Sequence, residues 1–217
     1  MSITVDNKSE TIKKAIKDLP YFAIDSLMPI ERNKNYLRVL IYRYSKRGTI
    51  EQLKKGIYVS KEYLEKINRT NAINEYSEFI GTVIYKPSYI SLEYVLDKNG
   101  ILTESINALT LVCDKKTNKI YNFIGAYKYY KVKDDLFTGF KIIKKSNFMI
   151  AEATLAKALF DYLYLRKYIL NTKKQFEELR LNLDNFSKND YREFEKYVKL
   201  EKTKKMKEIY RYLIEAK

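Results

Sequence analysis

The stretch that most limits what this chain can fold into runs from Tyr21 to Val59. Tyr21-Phe22-Ala23 reads as a short strand. Asp25 or Ser26 can cap a brief helix around Leu27, which Pro29 then limits. A cationic helix follows. It carries Leu37, Leu40, Ile41 and Tyr44 at i, i+3, i+4 and i+7, an apolar stripe able to face a core. Its remaining positions include Lys34, Asn35, Arg38, Arg43 and Lys46. Gly48 stands where a helix is expected to end on a left-handed residue. Thr49–Leu53 and Ile57–Val59 then flank Lys54-Lys55-Gly56, a turn that would close a β-hairpin. Strand, short helix, cationic helix and basic hairpin, in that order, are the layout of a winged helix-turn-helix.

Charge follows the same stretch. The chain of 217 residues has a net charge of +15. Residues 1–32 balance five Lys/Arg against five Asp/Glu. Residues 33–61 hold eight Lys/Arg and the single acid Glu51, a net of +7. About half of the excess therefore sits on the cationic helix and the hairpin, the electrostatic footprint of a polyanion partner.

Other classes are excluded by what is missing. With no histidine, Ser-His-Asp and Cys-His catalytic machines are impossible, and a zinc site would have only carboxylates and one thiol. No metal or cofactor is expected. The lone Cys113 cannot form an intramolecular disulfide, and beside Leu111 and Val112 it reads as a small filler on a strand. No apolar run approaches membrane-spanning length, and no secretory h-region opens the chain, so the expected location is the cytoplasm.

Along the rest of the chain, Glu10–Leu19 reads as a first helix. Ile12, Ala15, Ile16 and Leu19 form its stripe, Ser9 its cap and Pro20 its stop. Lys61–Tyr85 reads as a helical connector with a weaker stripe. The expected division is residues 1–80, a DNA-binding winged helix with connector, and 81–217, an α+β domain. In the latter, Tyr89–Leu96 is a strand or short helix closed by Asn99-Gly100. Leu109–Cys113, Lys119–Val132 and Leu136–Ile143 read as strands, and Ala151–Leu165 as an apolar helix. Two further helices carry Tyr191, Phe194 and Val198, and then Met206, Ile209, Tyr210 and Leu213. The fold class is α+β, the second domain being a small antiparallel sheet covered by helices.

Three segments, in this order and spacing, resemble the AbiEi family of type IV toxin–antitoxin and phage-defence systems. They are Tyr44–Val59 with Lys46-Arg47-Gly48, Tyr89-Ile90-Ser91-Leu92-Glu93 through Gly100-Ile101-Leu102, and Ala151–Tyr164 with Lys157-Ala158-Leu159-Phe160-Asp161. The similarity covers roughly residues 20–165. It implies a winged-helix antitoxin that represses its own operon in bacteria and counters a nucleotidyltransferase-like toxin without holding it in a stable complex. The family's Pro-Glu ahead of Lys-Ala-Leu is Leu155-Ala156 here, so no role of that Glu carries over. Arginines expected beside the wing are lysines, which keep the charge and lose bidentate geometry.

The expected partner is double-stranded operator DNA. Lys34, Asn35, Tyr36, Arg38, Tyr42 and Lys46 would line the groove-facing side of the cationic helix, continued by Arg47. Asn35 suits adenine and Arg38 guanine. Lys54 and Lys55 at the hairpin tip suit phosphates or the minor groove. The alternative readings are a solvated helix face and a solubilising hairpin tip, and DNA contact is the favoured one. Tyr127-Lys128-Tyr129-Tyr130-Lys131 alternates ring and cation, as a single-strand stacking platform or an ordinary tyrosine-rich strand would. Lys202, Lys204, Lys205 and Lys207 form a second cationic cluster, able to touch a nucleic-acid backbone or simply to be solvated. Glu152, Lys157 and Asp161 are the one polar set near an apolar helix, with Lys157 and Asp161 spaced for an i, i+4 ion pair. No catalytic residue is assigned. Two rival readings stay open: a winged helix fused to a nuclease-like domain, and a protein-interaction module whose basic face meets an acidic surface.

Overall fold

A computed structural model of the chain describes residues 5–103 and 107–216. It is mixed α and β, and its contacts divide it into two compact units. The first is Met1–Ile80 with Asn122–Ile124; the second is Gly81–Tyr121 with Gly125–Lys217. Among the described residues no helix is long and apolar enough to cross a membrane.

The first unit runs α1 (Val5–Ile16), β1 (Phe22–Ala23), a 3-10 turn (Ile24–Leu27), α2 (Lys34–Lys46), β2 (Ile50–Lys54), β3 (Ile57–Ser60) and α3 (Lys61–Arg69). Helix α4 (Ile73–Ile84) starts in it, and the division falls after Ile80. The three strands form an antiparallel sheet in the order β1-β3-β2. Ile12, Ile16, Phe22, Leu27, Leu37, Leu40, Ile41, Tyr44 and Ile50 make one buried cluster. Each such side chain contributes about 1.5–3 kcal/mol on burial.

The first helix is displaced from its expected bounds. Ser9 lies inside it rather than capping it, and its hydroxyl is 2.9 Å from the Tyr44 hydroxyl, which donates to the Ser9 carbonyl at 2.8 Å. Leu19 lies beyond the helix and is exposed. The expected continuous connector is two helices. Asn71 breaks it, with φ of 52°, and Ser60 caps α3 by accepting from the Tyr63 amide.

The second unit contains β4 (Ser88–Ile90), α5 (Glu93–Lys98), β5 (Leu109–Cys113), β6 (Asn118–Tyr121) and β7 (Ala126–Lys131). A 3-10 turn (Asp134–Leu136) precedes β8 (Phe140–Lys145) and β9 (Phe148–Ala153). Four helices finish it: α6 (Leu155–Arg166), α7 (Lys173–Glu177), α8 (Lys188–Glu201) and α9 (Lys204–Glu215). The expected antiparallel sheet is instead a six-stranded mixed one, ordered β6-β7-β5-β4-β9-β8. β5 runs parallel to β7, and β4 parallel to β9.

Three misread segments account for that difference. Lys119–Val132 is two strands of a hairpin, so β6 lies outside β7 and β7 returns parallel to β5. Leu136–Ile143 splits into the 3-10 turn and β8. The start of the expected apolar helix, Ala151 to Ala153, belongs to β9, which hairpins with β8 and pairs with β4. Thr154 then caps α6 by accepting from the Lys157 amide at 3.2 Å. A run of apolar residues does not itself distinguish a covered strand from a buried helix.

Candidate nucleic-acid interface

Helix α2 is anchored at both ends by side-chain and backbone chemistry. Asn33 caps its start, its Oδ1 accepting from the amides of Asn35 and Tyr36 at 3.0 and 3.1 Å. At the other end the Thr49 amide donates to the Tyr44 carbonyl at 2.9 Å and the Gly48 amide to Ser45 at 3.1 Å, with Gly48 at φ of 64°. That pair of bonds is a Schellman termination, which a left-handed glycine permits without strain. The helix is thereby held in register with β2.

Leu37, Leu40, Ile41 and Tyr44 are buried, as the stripe requires. At about 100° per residue, the opposite arc is centred on Asn35, Val39, Tyr42 and Lys46, with Arg38 and Arg43 on its two flanks. All six are exposed, Tyr42 at 63% and Val39 at 49%. The Lys46 ammonium lies over the Tyr42 ring at 5.7 Å, and Asn35 Oδ1 accepts from Arg38 at 3.3 Å. The thirteen residues of α2 include no acid.

The proposed reading set is not uniform. Lys34 is exposed but paired with Asp25 at 2.9 Å, and that bond holds the Asp25 carboxyl below its ordinary value. Tyr36 is half-buried against the core rather than on the open arc. Arg47 is exposed at the C-cap. Lys54 is half-buried on β2, whereas Lys55 is exposed in the turn beside Gly56, whose φ is 84°. A register shift between Gln52 and Lys54 bends the hairpin next to that turn. Arg43 and Val39 were missed as candidates, although the helical wheel alone places them on the free arc.

The other sequence candidates fall in the second unit. Tyr127 and Tyr129 are fully buried, and Tyr129 donates to the Gly81 carbonyl at 2.7 Å, so neither ring can stack on a ligand. Lys202 ends α8 in a left-handed conformation, and Lys204, Lys205 and Lys207 occupy the start of α9, where Lys205 pairs with Glu208 at 3.2 Å. Glu152 stands apart from the Lys157–Asp161 pair, bonded to Lys145. Cys113 is buried in β5, and burial pushes its thiol up.

Two of the quoted sequence segments meet in one buried network. The Lys157 ammonium is 2.6 Å from Asp161 Oδ1 and donates to the Leu136 carbonyl at 2.8 Å. Ser91 and Tyr89 donate to Asp161 Oδ2 at 2.8 and 3.0 Å. Both charged side chains have no exposed surface. Burial pushes the Asp161 carboxyl up, and Lys157, Ser91 and Tyr89 pull against that rise. Tyr197 and Phe160 also flank the ammonium, at 5.1 and 5.0 Å from their ring centres. Gly139 lies against this group at φ of 77°, and a Cβ there would overlap the Tyr197 hydroxyl. Next to Ser91, Leu92 holds φ of 62° and ψ of −143° while fully buried. Thr110 braces that strained turn, donating to the Ser91 carbonyl at 2.7 Å and accepting from the Tyr94 amide at 3.0 Å.

No protein-family model matches the chain, and no curated protein matches it in sequence.

Proposed function

We propose that this chain is a winged-helix protein that binds double-stranded operator DNA and represses its own operon in the cytoplasm. As the resemblance to AbiEi implies, it also acts as an antitoxin against a nucleotidyltransferase-like toxin, without catalysis and without a stable complex. The observation that carries the DNA reading is the open arc of α2: Arg38, Arg43 and Lys46 exposed around Asn35 and Tyr42, on a helix with no acid. The order α1, β1, 3-10 turn, α2, β2, β3 agrees with that layout, with α2 as the reading helix and the turn at Lys55-Gly56 as the wing tip. Exposed Val39 adds an apolar contact suited to a thymine methyl.

The nuclease rival is the weaker one. The Lys157–Asp161 pair, the polar set on which that rival would rest, is wholly enclosed, which leaves a substrate no approach to it. The antitoxin reading draws support from Tyr89, Ser91, Lys157 and Asp161, residues of the two second-unit segments of the resemblance that converge on one network.

The test is binding of the full chain to the DNA upstream of its own gene across a salt series. Neutralising roughly 6–8 phosphates gives a log–log slope of about −5 to −7. A slope near zero refutes the DNA reading. The antitoxin part is read separately, by growth of cells expressing the neighbouring toxin. Co-expression of this chain should restore growth, and failure to do so with DNA binding intact would leave a repressor alone.

A further inference from the structure

The hairpin of β6 and β7 has one face turned into the unit and one turned out. Ile120 and Asn118 stand opposite the buried Tyr127 and Tyr129. On the other face Lys119 stands directly opposite Lys128, and Tyr121 opposite Ala126, with Tyr130 two residues beyond Lys128. Tyr121 is 68% exposed, Lys119 is exposed, and Lys128 and Tyr130 are half-buried. Small Ala126 leaves the Tyr121 ring uncovered by its cross-strand neighbour.

Like charges directly opposite on adjacent strands destabilise a sheet. Strands β5, β6 and β7 contain no carboxylate, and neither lysine makes an ion pair among the described residues. An exposed ring beside an unneutralised pair of cations on a sheet face suits a polyanion that also offers flat faces. We infer that the Lys119, Tyr121, Lys128 and Tyr130 face is a binding platform for single-stranded nucleic acid. Tyr121 and Tyr130 receive bases about 13 Å apart along the strands, and Lys119 with Lys128 holds the phosphates between them. Burial raises the Tyr130 hydroxyl above its ordinary value, and the charges of the Glu93–Arg166 pair act on it from that end of the strand.

This surface is independent of α2, and the experiment separates the two. Labelled oligo-dT and oligo-rU of about twelve nucleotides are titrated with the full chain by fluorescence anisotropy. Tyr121→Ala should weaken binding by about tenfold, and Tyr121→Phe, which keeps the ring, should restore it. Lys119→Glu should weaken it too while leaving the melting temperature unchanged or higher, because it puts opposite charges across the ladder. Upstream duplex DNA should bind all three variants as it binds the unaltered chain, and Arg38→Ala should leave single-strand binding intact. A preference for oligo-rU assigns the platform to RNA, and for oligo-dT to DNA; either supports it. Unchanged affinity in both Tyr121→Ala and Lys119→Glu overturns the inference, as does loss of single-strand binding in Arg38→Ala alone.

Discussion

Asp161→Ala should destabilise the second unit by about 3–5 kcal/mol, because it strands the Lys157 ammonium in a site with no exposed surface. The carboxylate is that ammonium's charge partner at 2.6 Å, and the Leu136 carbonyl is a weaker substitute. The same change removes the acceptor for Ser91 and Tyr89. Replacing the pair together, Lys157→Met with Asp161→Leu, should be less damaging than Asp161→Ala although it alters more atoms, since no lone charge remains. The double variant still strands the Ser91 and Tyr89 hydroxyls, a loss it shares with Asp161→Ala, while the Leu136 carbonyl keeps the Thr138 amide at 2.9 Å. Urea unfolding followed by far-UV circular dichroism reads both. If Asp161→Ala unfolds at the urea concentration of the unaltered chain, the network is not the staple that its burial indicates.

Arg38→Ala should lower affinity for the upstream DNA by about 1–3 kcal/mol, roughly five- to 150-fold, with little loss on random duplex. Arg38 is exposed, hydrogen-bonded to Asn35 at the edge of the open arc, and close enough to the helix start to reach a base edge. Lys55→Ala, at the exposed turn, should instead weaken both DNAs alike and make the salt slope shallower by about one. Lys34→Ala should do less than its position suggests, because Asp25 already neutralises it. Equal losses on both DNAs from Arg38→Ala would move that residue to the phosphate-contacting class.

Local chemistry made parts of the first unit legible from the chain alone. The Leu37, Leu40, Ile41 and Tyr44 stripe is buried, Gly48 takes the left-handed position, and Lys55-Gly56 closes the hairpin. Each depends on contacts within a few residues, where periodicity and backbone preference act directly. The ionic identity of the open face was legible too, since charge on a helix exterior follows from which side packing claims.

What required the tertiary structure were relations across sequence distance. Whether Lys34 is a free cation depends on Asp25, nine positions away and in another element. The i, i+4 spacing of Lys157 and Asp161 pointed to an ion pair, but not to its burial or to Ser91 and Tyr89, some seventy residues earlier, as its partners. Alternating rings and cations in Tyr127–Lys131 show a strand, but not which face is covered. Only its register with β6 sends Tyr127 and Tyr129 inward and sets Lys128 opposite Lys119 on the outer face. The mixed sheet has the same origin. Phe148–Ala153 is a strand because β4 and β8 stand ready to pair with it, and a partner strand is not a property of those six residues. The sequence by itself determined the helix stripe, its termination, the hairpin turn and the placement of charge, because those are settled by neighbours along the chain. The tertiary structure decided pairing, burial of the ion pair and the facing of the tyrosine strand, because those are settled by neighbours in space.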